Sequence, residues 1–389
     1  MKILFVIPAL GSVYGGPSQC VLDLAEVLGR QGVDLDIVTT TANGANCLNI
    51  PTQIWMKENF YRIQYFSYSN FIDYKFSWSL SRWLFQNISN YDLVHTHAIF
   101  SYPTLPAHLS CRLYKIPYLM TPHGMLEPWA LCYKSRKKKL YFNLFEKPSL
   151  QRASAIQILA STEAINVKQL GLKSPLVLVP NGIYHNDFQE LPNSEIFYQK
   201  FPETRNKTLI LFLGRIDPKK GLDLLAIAFE KVHAQFPETH LVLAGPDNIN
   251  FSPTVKAYFS EVNCLDSLTF TGMLTGNLKY ATLAAADIYV APSYSEGFSV
   301  SILEGMASGL PCVITTGCNF PEATREKAAL VVDIDSTQIG NALLWCLAHP
   351  EESKKMGDRA RKLIFEKYTW NNIGKIMIET YKNIVNKNP

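Results

Sequence analysis

Glu296 and Glu304 stand eight positions apart in YSEGFSVSILEGMASGLPCVITT, residues 294–316. Carboxylates accept hydrogen bonds and donate none, so the pair suits a ligand rich in hydroxyl groups, such as a sugar and a ribose. Gly297 removes the side chain where a helix opens, and the backbone N–H groups of Gly297, Phe298, Ser299 and Val300 can then face an anion or a sugar hydroxyl. Glu296 lies just before that N-terminus and Glu304 about two turns along. One carboxylate thus reaches a group at the helix mouth, the other a group on its flank. Cations come from GRIDPKKG, residues 214–221. Arg215 offers a planar fork for phosphate oxygens, and Lys220 adds a flexible point charge five residues on. Gly214 and Gly221 let the chain turn tightly around them.

Other residues carry weaker signals. Gly15 and Gly16 close the loop after the first predicted strand, where N–H groups can approach a phosphate, although GG is not a G-x-G-x-x-G fingerprint. Three histidines fall at predicted strand ends: His95 and His97 in VHTHA, His123 in TPHGML. Their spacing invites a zinc reading, but no Cys or carboxylate nearby completes the ligand set. The D-x-D pairs Asp34/Asp36 and Asp333/Asp335 sit at strand boundaries, where alternate acids are ordinary. No metal is expected. The run Lys134 to Lys139, with Trp129, Tyr133, Tyr141 and Phe142 around it, is either a solvated helix face or a basic, aromatic-flanked patch for anionic lipid headgroups.

The elements that position these groups alternate strand and helix. KILFVIPAL is a continuous apolar run, as in a strand buried on both faces. The helical stretch SQCVLDLAEVLGRQG and the strand DLDIVTT follow, completing a βαβ unit. YDLVHTH, PYLMTPHG, AIQILAS and PLVLVPNG read as further strands. TLILFLGRI restarts the pattern, with a helix from about Gly221 to Phe236, then HLVLAGP, SLTFTG, DIYVAP, PCVITT and AALVVD. Ser299 to Ala307 is helix-compatible, and Ser308-Gly309 then Pro311 stop it. Two doubly wound α/β domains are predicted, 1–186 and 187–368, with the polar, Pro-containing stretch 186–206 as the connection. Residues 369–389 form an amphipathic helix. In open parallel sheets ligands bind beyond the strand C-termini, so a cleft between two such domains is the expected site.

Length and composition agree. The 389 residues, 47% hydrophobic and 18% charged, suit two sizeable cores. A net charge of +4 with no nucleic-acid motif does not point to DNA or RNA. Eight scattered Cys without a CxxC pair fit reduced thiols. The opening MKILFVIPALG is read as a buried strand rather than a signal peptide, and no run approaches 18 apolar residues, so a cytoplasmic protein is expected.

The segment 294–316 resembles the E-x7-E element of retaining glycosyltransferases of family 4, which have the GT-B fold, and other motifs match in order along nearly the whole chain. The resemblance implies an acceptor-binding N-terminal domain, a nucleotide-sugar donor domain, and a last helix that crosses back to the first domain. It implies that Arg215 and Lys220 clamp the donor diphosphate, that Glu304 holds the ribose, and that Glu296 with the amides of 297–300 holds the sugar hydroxyls. His123 matches the histidine that touches the donor sugar, and His97 a cleft-facing position. Asn181-Gly182 matches a hinge motif. Gly245 in LAGPD and Thr271-Gly272 end strands where a base lies in the family, but Gly-Pro-Asp replaces the usual Gly-x-Gly. Glu322 in NFPEA lacks the usual preceding glycines and receives no role. The implied reaction is metal-independent transfer, with retention, from a nucleotide-sugar donor to a saccharide or lipid-linked acceptor in cell-surface polysaccharide or glycolipid synthesis. A nucleotide-sugar epimerase or hydrolase, or a non-catalytic sugar-binding subunit, are the alternatives.

Overall fold

A computed structural model describes residues 1–69, 74–132 and 139–387. The chain divides into two compact units, Met1–Asn181 with Trp370–Pro389, and Gly182–Thr369. The sequence places these breaks at 186/187 and 368/369. The structure moves the first because Ile183 N already donates to Tyr368 O at 2.9 Å and bridges Thr369, inside the second unit.

The first unit is built on β1 (Lys2–Ala9), β2 (Asp34–Thr40), the hairpin β3 (Ala42–Asn43) and β4 (Asn46–Cys47), β5 (Trp55–Lys57), β6 (Arg62–Phe66), β7 (Leu93–His97), β8 (Tyr118–Thr121), β9 (Ala155–Ile158) and β10 (Leu176–Leu178). The main sheet has the order β10-β9-β8-β7-β1-β2-β6-β5. Every pairing is parallel except β5 with β6. All of β1 after Lys2 is buried, as a central parallel strand covered on both faces requires. Phe5 pairs with Ile37 on one side and His95 on the other. Leu4, Val6, Phe66, Leu84, Val94, Met120 and Ile156 belong to one buried cluster. The edge strand β5 and its neighbour β6 are absent from the sequence expectation, since WMK and RIQYF carry no continuous apolar run.

The helix Trp370–Lys387 closes this unit against the helix Gly16–Arg30. Gln31 Nε2 donates to Asn371 O at 3.0 Å. Gly374 allows the close approach: a Cβ there would lie 2.5 Å from Val27 Cγ1. Tyr381, fully buried, reaches His95 Nδ1 at 2.7 Å.

The second unit carries β11 (Thr208–Leu213), β12 (Thr239–Ala244), β13 (Leu268–Gly272), β14 (Ile288–Ala291), β15 (Cys312–Thr315) and β16 (Leu330–Val332), all parallel, in the order β13-β12-β11-β14-β15-β16. Ile210, Phe212, Leu241, Val290 and Val313 join the helix residues Leu225, Phe229 and Leu343 in its core. The stretch read as a polar connection is a folded part of this unit. It contains the helix Glu195–Lys200, and Phe188 and Phe197 are buried. Its polar residues masked the two aromatic anchors. Among the described residues no helix is long and apolar enough to cross a membrane.

Candidate active site

In the second unit, hydrogen bonds join three strand-end loops side by side. Gly214 N donates to Ala244 O at 2.8 Å, Ile216 N to Pro246 O at 2.9 Å, and Gly245 N to Gly272 O at 2.8 Å. Gly245 has φ +152°, and a Cβ on it would sit 1.8 Å from Gly214 O, so only glycine fits. Beyond Arg215, Asp217 caps the turn Pro218–Lys220 by accepting from Lys219 N at 3.0 Å. Gly221, at φ +69°, then opens the helix Leu222–Gln235 against Pro292 O. This delivers Lys220 to the PSYSE loop.

Lys220 Nζ donates to Glu296 Oε1 at 2.5 Å, and Ser293 Oγ donates to the same oxygen at 2.7 Å. The Glu296 backbone is fixed as well, its N–H on Gly317 O and its carbonyl accepting from Asn319 Nδ2, each at 2.7 Å. Burial alone raises the Glu296 carboxyl. The charges of Lys220 and Lys219, with the hydrogen bonds from Lys220 and Ser293, overcome it and hold the group below its ordinary value. Lys219 is pushed down, first by burial and then by the neighbouring charges of Lys220 and Arg215, with Glu296 opposing. Arg215 stands exposed on the same loop. The sequence assigned Lys220 to an anion and Glu296 to hydroxyls, whereas the structure pairs them with each other.

The helix after this loop is Val300–Ala307, with Ser299 as its extended N-cap (φ −82°, ψ 117°) and no side-chain capping bond. Gly297 therefore precedes the cap rather than the first turn. Phe298 is buried, its ring 5.2 Å from that of Phe320 and 5.6 Å from that of Tyr368. Glu304 projects from this helix to Lys279 Nζ at 2.7 Å. Lys279, on the helix Gly276–Ala285, also lies 4.8 Å over the Tyr280 ring. It was missed because no motif marks it. Gly272 (φ +68°) is exposed at the end of β13. The unusual Asp247 accepts from the amides of Ile249, Phe251 and Ser252 at 3.3, 2.8 and 2.7 Å, so its carboxylate serves the loop and the next helix.

In the first unit, Gly15 is the N-cap of the first helix at φ +68°, and Gly16 begins it. The helix thus starts two residues earlier than its sequence pattern suggests. His95, His97 and His123 form one cluster. The His97 Nδ1 to His123 Nε2 distance is 3.2 Å, and the His95 and His97 rings are 4.0 Å apart. Burial lowers all three, His95 and His97 well below the usual imidazole value and His123 to about 4. Asp36 is fully buried and held bidentately by Arg62 at 2.8 and 2.7 Å, with Tyr91 OH at 2.8 Å. Asp335 caps the helix Ser336–Ala348, and Asp333 accepts from Gln338 Nε2 at 3.1 Å. Both D-x-D pairs thus include acids with structural partners. Among the described residues no group of three His, Cys, Asp or Glu is placed to hold a metal ion. Of the basic run, residues 134–138 lie outside the described residues, and Lys139 is exposed.

Two Rossmann-like, mainly parallel sheets flanked by helices define the GT-B class. HepE of Anabaena, solved in complex with UDP and glucose, superposes with a TM-score of 0.78 at 18% identity over 98% of this chain and 100% of that one. A family model described as Glycosyltransferase Family 4 matches residues 14–187, and one described as Glycosyl transferases group 1 matches 193–363. The chain belongs to glycosyltransferase family 4, and it is an enzyme of that kind. It is 25% identical to O-antigen chain mannosyltransferase C of Escherichia coli over 379 residues, 95% of this chain and 94% of that one. It is 26% identical to a phosphatidyl-myo-inositol mannosyltransferase of Propionibacterium freudenreichii subsp. shermanii over 309 residues, 78% and 72% of the two.

Proposed function

We propose that the protein moves a sugar from a nucleotide-diphosphate donor to a hydroxyl of a saccharide or lipid-linked acceptor, with retention and without a metal. The observation that carries this is the Lys220–Glu296 pair beside Arg215: a diphosphate cation and a hydroxyl acceptor meet at one loop. In this reading the bond from the sugar's anomeric carbon to the diphosphate oxygen breaks. The acceptor oxygen attacks on the same face, and its proton passes to the departing diphosphate. Arg215 and Lys220 stabilise the charge that develops on that leaving group, where fixed charges count most. Glu296 and the amides of 297–300 hold sugar hydroxyls, Glu304 holds the ribose, Gly15 and Gly16 approach a phosphate, and His123 meets the sugar. The mannosyltransferase relatives support the acceptor class.

A cytoplasmic enzyme that touches an anionic membrane is part of the proposal. Its support is an exposed apolar face at Leu140 and Leu144, 63% and 59% exposed, beside the basic run.

The deciding experiment incubates purified protein with UDP-, GDP- and ADP-sugars, chosen first by thermal shift, with and without saccharide acceptors. Acceptor-dependent NDP release that survives EDTA supports the proposal. Donor isomerisation or acceptor-independent hydrolysis instead points to the epimerase or hydrolase. Turnover lost to EDTA and restored by Mg²⁺ overturns the metal-independent part.

A further inference from the structure

We propose that His97 is a positioning residue that fixes the His123 imidazole as its Nδ1–H tautomer, so that His123 meets the ligand as a hydrogen-bond donor. This rests on the reading of His123 as the group that meets the transferred sugar.

The proton count leads there. His97 is 1% exposed, held by Phe5 at a 4.8 Å ring separation and by the His95 ring at 4.0 Å. Its Nδ1 lies 3.2 Å from His123 Nε2, with the two rings 29° apart. Burial keeps both rings neutral at pH 7, so each carries one proton and only one can donate across this contact. Among the described residues His97 Nε2 is buried with no group in hydrogen-bond reach. If His123 donated, the His97 proton would sit on that nitrogen as a buried, unsatisfied N–H. If His97 donates, the buried atom is a lone pair. Unpaired buried N–H groups are the rarer and more costly case, so His97 Nδ1–H donates to His123 Nε2. The His123 proton then resides on Nδ1.

His95 cannot take over this role, because its nitrogens are committed. Gln157 Nε2 donates to Val179 O at 2.7 Å, which turns Gln157 Oε1 toward Thr121, whose hydroxyl donates to it at 2.7 Å. Thr121 must therefore accept from His95 Nε2–H at 2.6 Å, and Tyr381 OH donates to His95 Nδ1. This chain anchors β7, β8 and β9 to the last helix and leaves His97 as the only ring of the cluster that addresses His123 within these contacts.

Side-chain ¹⁵N and ¹³C shifts of labelled histidines distinguish the tautomers, and His123→Ala assigns the His123 signals. We expect the Nδ1–H pattern for His123 in the wild type and in His97→Asn, whose amide N–H replaces the Nδ1–H. In His97→Leu the tautomer should shift toward Nε2–H. Its kcat should fall about tenfold with KM little changed, as one charge-developing hydrogen bond is lost. His97→Asn should stay within about threefold of the wild type on the same scale. An Nε2–H pattern in the wild type overturns the proposal. So does an unaltered spectrum and kcat in His97→Leu. If either variant fails to fold, the wild-type spectrum still decides. Wild-type kcat in His123→Ala overturns the sugar contact instead, and with it the use made of the tautomer.

Discussion

Lys220 and Glu296 are both mostly covered, their side chains 12% and 10% exposed, so each depends on the other's charge. Removing one partner of such a pair strands the other, at a cost of about 3–5 kcal/mol where burial is complete. Arg215 is exposed and carries no such debt. Arg215→Ala should therefore lower turnover by about two to three orders of magnitude with an unchanged melting temperature. Lys220→Met should lower both, and Lys220→Met with Glu296→Gln should regain the melting temperature but not the turnover. Calorimetric melts beside initial rates check this, and a Lys220→Met protein as stable as the wild type would contradict it. A second residue effect lies in the first unit. Burial pushes the Glu163 carboxyl to about 8, with the Leu159 amide opposing and Glu127 adding to it. The folded state keeps this proton between the ordinary carboxylate value of about 4.3 and about 8, while the unfolded chain releases it. Stability must then fall as pH rises through that window. Glu163→Gln keeps an acceptor for Leu159 N and should match the wild type at pH 5 but melt higher at pH 8.5. Parallel pH slopes for the two proteins would count against it. At this scale the sequence marked Lys220 and Glu296 because Gly and Pro punctuate their strand ends. It gave no sign of Lys279, whose tie to Glu304 crosses two helices and 25 positions.

The element that closes the first unit is the helix Trp370–Lys387, and its seat depends on a missing side chain. Gly374→Ala gains roughly 1 kcal/mol of helix propensity but forces a methyl to within 2.5 Å of Val27 Cγ1. Overpacking of this kind costs about 1–3 kcal/mol, so the variant should melt lower, and a higher melting temperature would show that the two helices can part freely. The same helix was legible from its apolar spacing, and the structure places it at Trp370–Lys387 within the expected 369–389. So were the central strands, since a strand covered on both faces must be apolar throughout. The edge strand β5, its neighbour β6 and the helix Glu195–Lys200 were not. Their buried apolar residues, such as Ile63, Phe66 and Phe197, are interrupted by polar ones, including Gln64, which is itself buried.

For the molecule as a whole, a net charge of +4 is too small for general attraction to anionic surfaces, so any membrane affinity must be local. Each Lys or Arg near such a surface is worth about 1 kcal/mol, and the run ending at Lys139 adjoins exposed Leu140, Leu144 and Phe145. The wild type should sediment with anionic vesicles at low salt and release as salt rises, whereas Lys137, Lys138 and Lys139 changed to Ser should stay in solution. Equal partitioning of both proteins would leave the run as a solvated surface. The division of the chain has a consequence for its synthesis. The first unit is discontinuous, interrupted by the whole of residues 182–369. At about 5–20 residues per second, roughly ten to forty seconds of translation separate Asn181 from Trp370. Throughout that interval the nascent first unit lacks Ile373, Met377 and Tyr381. Val27 is then without the helix that covers it, and His95 is without the tyrosine that bonds it. The second unit, contiguous in sequence, draws on no residue after Thr369, whereas the first draws on Trp370–Lys387. The unit begun first is therefore the last to have all its parts, with the histidine cluster among the last to set.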